Sequence, residues 1–88
     1  MKVYVLEEMA EETGDKVFDC SVFDTYEKAK EQLFKREKEL YRNYDVEENM
    51  KHPNGDTDYY PFEEKYPSVH YYDNWGSYYL TIKEMEVQ

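Results

Sequence analysis

The chain has 88 residues, with 21 acids against 11 bases for a formal net charge of −10, and its mean hydropathy is −1.11. That length holds one core, because two could not each bury enough apolar surface to offset an ordering entropy of roughly 1–2 kcal/mol per residue. The acidity opposes direct binding of nucleic acid, whose phosphates such a surface repels, and no run approaches the roughly 20 apolar residues that span a bilayer.

Aliphatic side chains are few, so burial must come largely from eleven Tyr, four Phe and one Trp, at on the order of 150–250 Å² per ring. The start, Met1-Lys2-Val3-Tyr4-Val5-Leu6-Glu7, meets charge too early for a signal peptide, which points to a cytoplasmic protein without a membrane partner. Lys2 to Met9 is rich in β-branched and aromatic residues and predicts a first strand. Glu11 to Asp15 reads as a polar turn around Gly14, and Lys16 to Phe23 predicts a second strand. Together they make a hairpin with a loop of about five residues. Cys20 is the sole cysteine, so no internal disulfide forms; it reads as a small strand residue with the usual tendency of cysteine to be buried, not as a reactive thiol.

Asp24 with Glu27 three residues on forms a capping box, with Thr25 as a rival cap. Tyr26, Ala29, Leu33, Leu40 and Tyr44 then recur at helical spacing, flanked by Phe34 and Tyr41, and no Gly or Pro interrupts before Pro53. Lys28, Lys30, Glu31, Lys35, Arg36, Glu37, Lys38, Glu39 and Arg42 line the other side as a solvated face. Residues 45–67 carry acids, three prolines and the Asn54-Gly55 turn signal with little periodicity, which reads as one long irregular connection, either functional or disordered. Within it, Phe62 and Tyr66 are expected to pack on the domain, leaving open which of Tyr59 and Tyr60 stays outside. Val69 to Tyr72, a turn at Asp73 to Gly76, and Ser77 to Val87 predict two closing strands, with Tyr78, Leu80 and Ile82 on one face and Tyr79 and Thr81 on the other.

These elements predict one α+β domain over residues 1–88: a single, mostly antiparallel sheet in the order β-β-α-β-β with one long amphipathic helix on one face. The helix stripe is expected to meet Val3, Val5, Leu80 and Ile82. Tyr4, Leu6, Tyr79 and Thr81 would then occupy a face that no second helix covers.

The segment Val22-Phe23-Asp24-Thr25-Tyr26-Glu27-Lys28-Ala29, after a hairpin and before the closing strand from Tyr78 to Val87, resembles short uncharacterised bacterial and phage proteins. Those proteins share an N-terminal hairpin, a Val-Phe-x-Thr-x-Glu-Lys-Ala helix start and a final strand. The resemblance covers about half the chain. It implies a fold and a phage or prophage origin, and no activity.

Catalytic and metal chemistry find little support. Acids gather at Glu7, Glu8, Glu11, Glu12 and Asp15, and again at Asp56, Asp58, Glu63 and Glu64. Both groups are expected on flexible loops, whereas acid–base catalysis needs two carboxylates held rigidly with separated pKa values. Asn54-Gly55-Asp56-Thr57-Asp58 fails the calcium-loop pattern because its Gly precedes both aspartates, which leaves weak divalent binding at most. Cys20, His52 and His70 lack zinc spacing, Ser68 and His70 would merely share a strand face, and the three glycines are isolated. No cofactor is expected.

What remains is a surface. Tyr and Trp give large, rigid contact area with a polar handle and are enriched where proteins bind proteins. The expectation is a non-enzymatic protein-binding module using Tyr59, Tyr60, Tyr71, Tyr72, Trp75 and Tyr79, bordered by Asp56, Asp58, Glu63 and Glu64. A sharper variant is a DNA mimic whose acids occupy a basic nucleic-acid-binding groove. A separate alternative is a homodimer formed through the open sheet face or an edge strand.

Overall fold

The computed structural model describes residues 1–53 and 55–88. Its elements are β1 (Lys2–Glu12), β2 (Asp15–Phe23), α1 (Tyr26–Asn43), α2 (Val46–Lys51), β3 (Asp58–Tyr60), β4 (Ser68–Tyr72) and β5 (Gly76–Glu86). The strands form one antiparallel sheet in the order β2-β1-β5-β4-β3, with α1 against one face. The class is α+β as expected, but the element order is β-β-α-α-β-β-β.

The β1–β2 hairpin is tighter than its sequence suggested. Glu12 pairs with Asp15, so only Thr13 and Gly14 lie between the strands, and both have positive φ (40° and 94°). That is the backbone of the two-residue turn whose twist suits a hairpin, and Gly14 adopts it without penalty. Glu11, Glu12 and Asp15 are therefore strand residues. Cys20 does lie in β2, but exposed, because β2 is an outer strand and its side chains are covered by little else.

Thr25 wins the contest for the helix cap: its hydroxyl oxygen accepts the Lys28 backbone N–H at 3.2 Å. Asp24 instead pairs with the Lys28 ammonium at 2.9 Å, and that partner holds its carboxyl below the usual range. At the far end Asp45 takes φ 53°, in the left-handed region, and turns the chain from α1 into α2. Residues 45–67 are thus not one irregular connection, since they contain α2, β3 and an isolated bridge between Glu63 and Tyr66. Helix α2 spans six residues, too few to show an amphipathic repeat, and it is held by tertiary contact. Val46 is fully buried, and the Asn49 side-chain amide donates to the Tyr44 carbonyl at 2.9 Å and the Tyr71 hydroxyl at 3.0 Å.

Between α1 and the sheet, Leu6, Ala29, Leu33, Val69, Leu80 and Ile82 form the larger core cluster, while Leu40, Val46, Tyr71 and Tyr78 form the other. The expected assignment of β1 faces is reversed. Leu6 stands opposite Ile82, so Tyr4 and Leu6 face the helix while Val3 and Val5 turn to the open side. Both phases of KVYVL are apolar, so alternation alone cannot choose between them, and a register shift of one residue exchanges every side chain between faces. Tyr79 and Thr81 do occupy the open face.

At the start of β5, a Cβ on Gly76 would sit 2.3 Å from the Glu11 carbonyl oxygen. Backbone cannot yield there as a side chain could, so Gly76→Ala is expected to spread the β1–β5 pairing and lower stability by about 1–3 kcal/mol, as overpacking generally does. Urea denaturation of the variant measures this.

Candidate protein-binding face

Cross-strand register places Phe18, Met9, Tyr79, His70 and Tyr60 in one line across all five strands, on the face away from α1. Directly opposed residues share a face, so this row follows from the pairing itself. Tyr79 and His70 stack at 3.9 Å with an interplanar angle of 12°, and Tyr60 lies on the other side of His70 at 5.8 Å and 19°. Tyr72 adds a tilted contact with His70 at 5.2 Å. The row is open to solvent: Phe18 is 62% exposed, Tyr60 51%, Met9 39% and Tyr79 37%.

The polar groups of the row are fixed. Burial pushes the His70 imidazole below its ordinary pKa, against the opposing pull of Asp58, and a neutral ring results at pH 7; its Nε2 lies 3.1 Å from the Ser77 hydroxyl. The Tyr60 hydroxyl donates to Asp58 at 2.9 Å, and that carboxylate pushes the phenol up to about 12. Trp75, 66% exposed, rims a shallow groove shared with His70, Tyr72 and Glu11. Its turn is held by Asp73, whose Oδ1 accepts from the backbone N–H groups of Trp75 (2.8 Å) and Gly76 (3.1 Å). Glu7 belongs to the same face and pairs with Lys83 at 3.2 Å.

The other expected contact residues point elsewhere. Tyr71 is fully buried and presents nothing to a partner: its ring joins the smaller core cluster and its hydroxyl donates to Asp73 at 2.7 Å. Tyr59 is turned to the helix side, where its hydroxyl donates to Glu37 at 2.6 Å and its ring meets Tyr41 edge-on. Burial, then the Glu37 carboxylate, pushes its phenol well up. Tyr60 is therefore the outer member of the pair. Asp58 borders the aromatic row, Asp56 and Glu63 are exposed, and Glu64 is drawn toward α1 by the Tyr26 hydroxyl at 3.0 Å and the Lys30 ammonium. Phe62 packs on the core, edge-on to Phe34 at 4.9 Å, while Tyr66 stays 66% exposed, so only the first of the two packs as expected.

Nor is the charged side of α1 wholly solvated. The Arg36 guanidinium reaches across to Glu8 on β1 and also pairs with Glu39, and the Glu8 carboxylate raises its pKa further. The Glu8 carboxylate is thereby occupied in holding the helix to the sheet, while Glu39 pairs within α1. Among the described residues no group of three or more His, Cys, Asp or Glu is placed to hold a metal ion, and no helix is long and apolar enough to cross a membrane.

Phe18, Met9 and His70 were absent from the residues expected on a binding surface. Phe18, Cys20 and Val22 share one phase of β2, which is a readable signal. Aligning that phase with Met9, Tyr79 and His70 requires the strand order, which sequence periodicity does not supply. No family model, no curated protein and no solved structure matches this chain.

Proposed function

We propose that this protein is a non-enzymatic binding module whose partner is a protein presenting arginine and apolar side chains to the open sheet face. The observation that carries this reading is the uncovered row Phe18–Met9–Tyr79–His70–Tyr60, extended by Tyr72 and Trp75. Large exposed apolar patches are uncommon on monomers and mark interaction sites. Guanidinium groups stack on aromatic faces such as these. The net charge of −10 supports a basic partner by steering it toward the surface, and Asp58, Glu7 and Glu11 supply carboxylates at the edge of the row.

Affinity capture from a lysate of the source cell tests this, with a Tyr60→Ala/Trp75→Ala/Tyr79→Ala variant as control. A deletion through residues 46–66 would be a poor control, since it removes the buried Val46 together with Tyr59 and Phe62. The expected result is one basic protein retained by the native chain, released by added salt, and bound at least about tenfold more weakly by the variant. Equal capture by a variant with an unchanged circular dichroism spectrum would refute the reading.

Acidification is a second test. Because burial depresses the His70 pKa, the ring is neutral at pH 7.5 and gains its proton below the usual imidazole value of about 6.5. That proton places a cation in the middle of the face, so affinity for a basic partner is expected to fall as pH drops below that value. His70→Gln should remove this step; a pH profile identical in both proteins would show that His70 does not face the partner.

A further inference from the structure

Strand β2 forms one edge of the sheet, with Val17 64%, Phe18 62% and Val22 62% exposed. Edge strands expose unpaired backbone N–H and C=O groups, which proteins commonly blunt with short length, proline, a bulge or inward charge. The other edge follows that rule, since β3 has three residues. Strand β2 uses neither short length, bulge nor proline: it has nine residues, pairs with β1 without a bulge and contains no proline, and Asp19 on the helix side is its one charge between the turn and Phe23 on that face.

In an antiparallel pair, alternate residues turn their N–H and C=O toward the neighbour and away from it. Counting from the Glu12–Asp15 pair that closes the turn, the outward groups belong to Lys16, Phe18, Cys20 and Val22. The Cys20 N–H confirms the phase, since it donates to its neighbour Asp19 Oδ1 at 2.9 Å instead of to β1.

We propose that the chain forms a two-fold homodimer in which β2 pairs antiparallel with β2 of a second copy, Cys20 standing opposite the partner's Cys20. The register follows from the side chains. Centring the two-fold axis on Asp19 sets that carboxylate against the partner's Asp19, and like charges directly opposed are destabilising. Centring it on Phe18 or Ser21 sets Asp19 against the partner's Val17 or the partner's Phe23. Only the Cys20-centred register places apolar on apolar along both faces, Phe18 facing the partner's Val22 and Val17 facing the partner's Phe23, while Asp19 faces the partner's Ser21. It also brings Lys16 beside the partner's Asp24, whose carboxylate is shared with Lys28 of its own chain. Such an arrangement is self-complementary and closed, so it stops at two copies. It joins the two open faces into one continuous surface and is independent of what that surface binds.

Sedimentation velocity from micromolar to millimolar concentration tests the proposal, with Cys20→Pro as the decisive variant. Proline at 20 removes an outward N–H together with its bond to Asp19 Oδ1, leaving the β1 ladder whole while blocking the edge. The native chain is expected to shift from monomer to dimer as concentration rises, and Cys20→Pro to raise the dissociation constant by at least about tenfold with its circular dichroism unchanged. Val22→Lys, at an exposed position, gives the same readout should the proline variant lose its fold. Added salt is expected to strengthen the dimer, because it screens repulsion between two chains of charge −10, whereas it weakens capture of a basic protein, so the two proposals fail separately. A native chain that stays monomeric at millimolar concentration, or a dimer that survives both variants, would overturn the inference.

Discussion

Tyr71→Ala is expected to lower the free energy of unfolding by about 3–5 kcal/mol, the range for removing a fully buried aromatic side chain. Small domains hold only about 5–15 kcal/mol in all, so the variant should be largely unfolded at modest urea concentrations or on mild heating. The size of the effect comes from what converges on this ring. Tyr71 is fully buried, lies parallel to Tyr78 at 5.9 Å and packs with Leu40 of α1 and Val46 of α2. Its hydroxyl donates to Asp73 in the β4–β5 turn and accepts from Asn49 of α2, so one side chain joins the sheet, the turn and the short helix. Tyr71→Phe keeps the ring and should cost about 1–3 kcal/mol, the usual penalty for leaving buried partners short of a hydrogen bond. Tyr79→Ala, on the open face, should cost far less than Tyr71→Ala. A Tyr71→Ala protein as stable as the native chain would mean that this tyrosine is not the centre of the second core.

That pair of neighbouring tyrosines shows what the sequence makes legible. The alternation Tyr78/Leu80/Ile82 against Tyr79/Thr81 was readable because one phase carries aliphatic residues and the other a hydroxyl and a phenol. Tyr71 and Tyr72 give no such contrast, and neither do Tyr59 and Tyr60, since two adjacent tyrosines are equally fit for core or surface until a partner strand fixes the register. Helix α1 was readable because eighteen residues show several turns of the 3.6 repeat. Helix α2 and strand β3 span too few turns and alternations to show a period, and contacts with Tyr71, Tyr44 and β4 hold them in place. For the same reason the sequence suggested a tyrosine-rich surface but not the line Phe18–Met9–Tyr79–His70–Tyr60, which is a property of strand order.

The same phenols predict a steep alkaline transition. Burial together with a carboxylate acceptor raises Tyr71 from 10.0 to about 12, and the same causes push Tyr59 (Glu37) and Tyr78 (Glu12, accepting at 2.7 Å) higher still. Tyr44, stacked on Tyr78 at 3.9 Å, is raised chiefly by burial. In each case the folded pKa lies above the unfolded value near 10, so the unfolded chain releases its protons first. Stability from these groups is complete below about pH 10 and is lost as pH rises toward the folded values. Each raised phenol ties part of the folding free energy to its proton, so ionising several of them draws on the same small reserve of stability. Tyrosinate absorbance at the long-wavelength edge is therefore expected to include a cooperative rise above pH 10 that coincides with loss of the far-ultraviolet circular dichroism signal. Tyr78→Phe removes one of these raised phenols and should soften that rise. A single smooth titration near pH 10 with the circular dichroism intact would mean that the Glu12, Glu37 and Asp73 carboxylates do not hold these phenols in the folded protein.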